Sequence, residues 1–259
     1  MFKQRYAWLV GVIGMSLASG ACTSAIATGD ADAYTAAKLK TIFLTNANRD
    51  ASAQFLGVPY SAGTLVGSVN VPERLVVNFS DVDCFTFVDY VEALKRSRNQ
   101  ADFIPNLTAV RYLNGVVAFS SRRHFFSEWT MGQRPVAVDL TREISGAAVS
   151  VEKLLNQDEH GLAIVQGAPV IRKVVNYIPS KSVSATVVKR LRTGDYIGIY
   201  SSRLGLDVSH VGIFVMTKAG PVFRNASSRK QVMRVIDSPF ISYVQDKPGI
   251  VVFRSTESY

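Results

Sequence analysis

The sequence predicts an α+β fold, and three observations carry that expectation. Hydrophobic residues recur at helical spacing in the N-terminal half, most clearly after Cys84, where Phe87, Val91 and Leu94 follow one another by about one turn. From Pro135 onward the chain breaks into short β-branched and aromatic runs bounded by Gly, Pro, Asn, Asp or Ser. The strand-rich half lacks regular βα alternation and a glycine-rich phosphate loop, which excludes a doubly wound parallel sheet. One sheet with helices on one face is the expected arrangement. The chain has 259 residues, 47% of them apolar and 19% charged, which excludes disordered, collagen-like and coiled-coil classes. It is long enough to bury a substantial core.

The first residues read as an export signal. Lys3 and Arg5 form a short basic region, Ala7 to Ala18 an apolar stretch, and Ser19-Gly20-Ala21 a small-residue segment. The apolar part is too short to span a membrane. Cleavage before Cys22 would make a lipoprotein of residues 22–259, anchored through Cys22. Cleavage after Ala25-Ile26-Ala27 would release residues 28–259 as a single domain. Either way residues 1–21 or 1–27 lie outside the fold, and the protein is exported. The net charge of +9 suits an anionic partner such as cell wall or membrane. An export signal and the lack of basic runs interleaved with aromatics argue against nucleic acid.

Along the mature chain, helices are expected around Tyr34 to Leu44 and Ala51 to Leu56, the second stopped by Gly57 and Pro59. Leu75 to Phe79 reads as a buried strand or extended segment. A helix begins near Cys84 with Asp83 as its N-cap, and Lys95, Arg96 and Arg98 suit its C-terminal dipole. Phe103 to Gly132 is mixed and aromatic. Candidate strands are 136–140, 171–178, 196–200, 208–216, 221–224, 231–236 and 250–254.

Only two cysteines are present, so no disulfide framework is built. With Cys22 lipidated or removed, Cys84 is the one free thiol of an exported protein. It reads either as a buried inert cysteine or as a nucleophile. Its place at a helix N-terminus favours the thiolate and predicts a lowered thiol pKa. A base must come from His124, His160 or His210. His210 lies in Val208-Ser209-His210-Val211-Gly212, where strand alternation puts Val208, His210, Gly212 and Phe214 on one face. A hairpin to the next strand would bring Asn225 beside His210, where an amide oxygen can accept the imidazole N–H and fix its tautomer. Ser121-Arg122-Arg123-His124 and Trp129 form a cluster suited to a carboxylate and to stacking. His160, in Asp158-Glu-His-Gly161, reads as exposed. No zinc-ligand spacing and no Gly-x-Ser-x-Gly elbow appears, and no cofactor is expected.

Leu56-Gly-Val-Pro-Tyr60, Asp83-Cys84 opening a helix, Ser209-His-Val-Gly212 and Asn225-Ala-Ser227 together resemble the NlpC-type cell-wall cysteine hydrolases. Ser121-Arg-Arg-His124, Gly205-Leu-Asp207 and the long stretch between Cys84 and His210 are similar to the N-acetylmuramoyl-L-alanine amidase-like subfamily. The resemblance implies a papain-like α+β domain with a central antiparallel sheet and the catalytic cysteine at a helix N-terminus. It implies Cys84 as nucleophile, His210 as base and Asn225 as the third catalytic residue. Tyr60, Asp83, Arg122, His124, Trp129, Asp207 and Ser209 would form the oxyanion and substrate-binding set, with muropeptides as substrate. Two features depart from the superfamily pattern: Phe85-Thr86 stands where Ser-Gly often follows the cysteine, and Asn225 stands where His is common. The alternatives are a γ-D-glutamyl-diaminopimelate endopeptidase, a non-catalytic wall-binding protein and a lipid-directed acyl hydrolase.

Overall fold

A computed structural model describes residues 32–257. The export segment, both cleavage sites and Cys22 therefore lie outside the described residues. Helix α1 (Ala33–Leu44) is capped by Asp32, whose side chain accepts the Thr35 N–H at 2.7 Å. A 3-10 segment, Ala47–Phe55, follows where a short helix was expected. Helix α2 (Cys84–Arg96) has a full capping box: Asp83 accepts from the Phe85 and Thr86 N–H groups, and Thr86 accepts from the Asp83 N–H. Leu75, Val77 and Phe79 are buried in an extended segment outside the sheet.

Helix α3 (Gln100–Arg111) lies in the stretch that sequence periodicity leaves mixed. Pro105 inside it removes one backbone donor and conceals the helix from pattern reading. Asn99 compensates at the start by accepting from the Ala101 and Asp102 N–H groups.

Eight strands form one antiparallel sheet: β1 (Ala137–Asp139), β2 (Val149–Leu155), β3 (Ile171–Pro179), β4 (Tyr196–Tyr200), β5 (Val208–Thr217), β6 (Gly220–Ser227), β7 (Arg234–Pro239) and β8 (Gly249–Ser255). Their order is β2-β3-β8-β4-β5-β6-β7, with β1 paired to β8. Strand β2 escapes sequence reading because Glu152 and Lys153 sit in it and most of its residues are exposed or half-buried.

The main core lies between the sheet and α1, α2 and α3. Phe55, Phe79, Phe87, Tyr90 and Phe103 are all buried there, with Phe55 and Phe79 packed edge-on at 5.1 Å. The opposite face is also covered, contrary to the one-face expectation. Three short helices, α4 (Thr141–Ile144), α5 (Ala185–Arg190) and α6 (Phe240–Gln245), bury Ile197, Phe214, Phe223 and Val252. Eight strands expose two apolar faces, so both need a cover.

Two local irregularities shape the ends of β5 and β6. Tyr200 pairs with Val208 and Ile199 with His210, so Ser209 is an extra residue, a bulge. The bulge breaks the simple alternation: Val208 packs against the main core and Phe214 lies in the second one. The β5–β6 ladder begins only at Ile213↔Arg224, leaving Val208 to Gly212 outside its pairing. At Gly212 a Cβ would lie 2.6 Å from the Arg224 carbonyl oxygen and 2.7 Å from the Phe223 ring. Gly212→Ala is therefore expected to force β5 and β6 apart and to cost about 1–3 kcal/mol of stability. Thermal unfolding checks this, and an unchanged melting temperature would refute the close approach.

Candidate functional site

Cys84 is the first residue of α2, at the positive end of the helix dipole, where Asp83 caps the Phe85 and Thr86 N–H groups. The backbone N–H groups of Val211, Cys84 itself and Phe85 bear on its sulfur and favour the thiolate. The Val211 donor is free because β6 does not pair β5 at that level. The helix start is thus wedged into the mouth where β5 and β6 separate. Burial nevertheless pushes the thiol up to about 12, and Asp83 pushes the same way. This corrects the expectation of a lowered thiol pKa: desolvation outweighs the helix dipole and the three donors.

His210 faces Asn225 across the opened ladder, with Nε2 3.0 Å from Oδ1. The amide orientation is fixed, because Asn225 Nδ2 donates to the Phe223 carbonyl at 3.0 Å and to Ser238 Oγ at 3.3 Å. Oδ1 is then the acceptor, Nε2 carries the proton, and Nδ1 keeps its lone pair. Burial lowers the His210 pKa, and the Arg229 and Lys247 charges lower it further against the Asn225 hydrogen bond. The cysteine and histidine are therefore both neutral near pH 7.

Cys84 and His210 share the wall of a cavity of about 160 Å³, completed by Phe85, His124, Phe126, Leu206 and Val208. Tyr60 lies close enough to Cys84 and Asp83 for both to raise its pKa, after burial. Its backbone is held between β7 and the Val82 segment, where the Tyr60 N–H donates to the Met233 carbonyl. Asp83 spends Oδ1 on capping α2. Ser209, at the bulge, is exposed and lines the cavity beside His210. His124 Nε2 is 2.8 Å from the Phe119 carbonyl, an acceptor, so Nε2 carries the proton and the ring nitrogen left basic is Nδ1.

Three residues expected in the substrate-binding set have other partners. Arg122 is paired with Glu73 and also donates to the Val66 carbonyl, which pins the 66–74 segment. Trp129 is fully buried against Phe85, Phe126 and Tyr196. Asp207 lines the cavity but is buried, and its carboxylate accepts from the Ser127 N–H and hydroxyl and from the Val208 N–H. It ties the 126–130 turn to the start of β5. Aromatic and charged residue types drew attention to this segment, but they serve the core. His160 is exposed, as its turn composition suggests.

Sequence reasoning missed Tyr243, Arg229 and Lys247. Tyr243, on α6, lies 6.5 Å from His210 ring to ring, and Arg229 and Lys247 lie 5.1 and 5.6 Å from the Tyr243 ring. The Ser227-Ser228-Arg229-Lys230 turn after Asn225 was the available signal. Nothing in a six-residue helix after β7 indicates that it folds back onto His210.

A family profile described as N-acetylmuramoyl-L-alanine amidase-like matches residues 50–250. The chain belongs to that family. Two solved structures titled N-acetylmuramoyl-L-alanine amidase, both from Bacteroides uniformis, are similar to it. One is 27% identical, with 85% of this chain and all of the other aligned at a TM-score of 0.68. The second is 25% identical, with 81% and 99% aligned, also at 0.68. A Legionella pneumophila protein, 20% identical with 85% and 93% aligned, shares the fold at a TM-score of 0.70. No functionally curated protein matches the chain. Family membership supports a peptidoglycan amidase-like function and hydrolase activity.

Proposed function

We propose that this amidase-like protein is an exported, papain-like cysteine hydrolase of the NlpC type that cleaves the amide between the lactyl group of N-acetylmuramic acid and L-alanine. The observation that carries this reading is the cavity shared by Cys84 and His210, with Asn225 leaving His210 Nδ1 basic. Cys84 is the nucleophile and His210 the general base. Because both begin neutral, His210 takes the thiol proton as sulfur attacks the lactyl carbonyl. The Cys84 backbone N–H and the Tyr60 hydroxyl hold the oxyanion. The C–N bond then breaks, the proton passes from His210 to the departing L-alanine amine, and a thioester remains. Water, deprotonated by His210, hydrolyses the thioester and restores the thiol. His124 and Ser209 line the approach for substrate, and the Asp83 charge stands near Tyr60 at its edge. Asn225 holds the imidazole without a charge of its own. A lipid anchor at Cys22 is one of two routes to the exported form.

Mass spectrometry of muropeptides incubated with the protein tests the bond choice. Free stem peptide beginning with L-alanine is expected. A cut after D-glutamate would replace the amidase reading with an endopeptidase, and intact muropeptides in every form tried would favour a wall-binding protein.

The neutral pair also sets a pH profile. Burial holds His210 below its ordinary 6.5, so kcat/KM should fall only below pH 6.5 as the base protonates. With the thiol at about 12, no thiolate limb is expected through pH 9. A rate that climbs between pH 8 and 9 would point to a pre-ionised thiolate and remove His210 as base.

A further inference from the structure

A second pocket of about 230 Å³ adjoins the main cavity, and the two share Ser209 and His210. Its remaining walls are Ser227, Ser228, Arg229, Tyr243, Lys247 and Ile199. Arg229 and Lys247 both lie against the Tyr243 ring, which draws the two cations to one spot. Among the described residues neither cation has a carboxylate partner. Both charges bear on His210, against the Asn225 hydrogen bond and the Asp83 charge. Arg229 is exposed and Lys247 half-buried, so both charges stand open to an anion that enters the pocket.

We propose that this pocket is a carboxylate subsite that holds the leaving stem peptide. The inference rests on the amidase reading. In a muropeptide the sugar and lactyl groups on the acyl side of the scissile bond are neutral, and the free carboxylates belong to the peptide. The pocket lined by Arg229 and Lys247 therefore receives the peptide, and the largely apolar one lined by Phe85, Phe126 and Leu206 receives the muramyl side. Arg229 and Lys247 form charge-assisted hydrogen bonds to the carboxylate, and the Ser227 and Ser228 hydroxyls complete its shell. The subsite fixes the direction in which substrate crosses the site and gives a preference for unamidated stem peptides.

The test uses disaccharide-L-Ala-γ-D-Glu-diaminopimelate and two relatives, one amidated at the glutamate α-carboxyl and one amidated at the third residue. Wild type is expected to hydrolyse the free acid with kcat/KM about tenfold or more above one of the amidated forms, and the form that suffers identifies the carboxylate bound. That ratio should fall toward one in Arg229→Gln/Lys247→Gln and return in Arg229→Lys/Lys247→Arg, which keep the charges. It should also shrink as salt rises. Equal rates on all three substrates with wild type would overturn the subsite. If wild type hydrolyses none, the amidase reading fails separately, and calorimetric titration of Cys84→Ala with the same three molecules judges the subsite: tighter binding of the free acid supports it, equal affinities refute it.

Discussion

Replacement of Cys84 by Ala is expected to abolish muropeptide hydrolysis, by about 10⁴-fold or more in kcat, while the protein stays folded. The magnitude follows from the role: no other described residue on that cavity supplies a nucleophile held by a helix start and placed beside a fixed imidazole. The stability change should be small. The substitution removes one half-buried sulfur atom, about 1 kcal/mol. Circular dichroism and a melting curve check the fold, and product formation from a defined muropeptide checks the activity. Cys84→Ser is the sharper variant, because it keeps a hydrogen-bonding atom in place with a hydroxyl too weak to serve. Turnover by Cys84→Ala near the wild-type rate would sink the cysteine mechanism, and family membership would then have to be explained by another nucleophile.

Arg111→Met is expected to be the most costly change to stability, by about 3–5 kcal/mol at neutral pH. Arg111 of α3 donates to Asp89 of α2 at 2.8 Å, and both side chains are buried. Arg111 also donates to the Val76 carbonyl, tying the 75–79 segment to the same pair. Burial drives the Asp89 carboxyl up to about 6 even with the guanidinium beside it. That value lies above the ordinary unfolded carboxyl, about 3.9. The folded state therefore binds the Asp89 proton more tightly. The stability this confers is complete below about pH 4 and is lost as pH rises through about 6. Methionine leaves the carboxylate without its cation, so the carboxyl rises further. The deficit should be largest at neutral pH and shrink toward pH 5. Asp89→Asn combined with Arg111→Met should recover much of the loss, since no buried charge remains. Urea titrations of the two variants at pH 7.5 and 5 measure both effects. A deficit equal at the two pH values would mean that Asp89 is not the group responsible. Asp89 lies on the helix that carries Cys84 at its first residue, so this pair also anchors the nucleophile's element to α3.

Local chemistry made some of this structure legible and left other parts hidden. Helix α2 could be read because Asp83 caps it and its apolar residues repeat at one-turn spacing, both properties of neighbours in sequence. Most strands of the second half could be read from short runs of β-formers between turn residues. Strand β2 and helix α3 could not, because charges and a proline interrupt their patterns while tertiary contacts hold them. The aromatic and basic cluster from Arg122 to Trp129 drew attention for its composition, yet Glu73 occupies Arg122 and the core occupies Trp129. Residue type alone cannot distinguish a side chain satisfied by its own protein from one left for a ligand.

By itself the sequence determined the class of the fold, the helix start at Cys84, the strand carrying His210 and the hairpin that brings Asn225 beside it. These depend on periodicity, capping and propensity, which act over a few residues. The tertiary structure decided what those residues meet. The unpaired mouth between β5 and β6 leaves Cys84, His210 and Val211 on the wall of one cavity. The bulge at Ser209 resets which face the β5 side chains take. Burial reverses the expected shift of the thiol, and the return of α6 brings Tyr243, with Arg229 and Lys247 about it, to His210. Desolvation and the meeting of distant segments are properties of packing, and no local pattern encodes them.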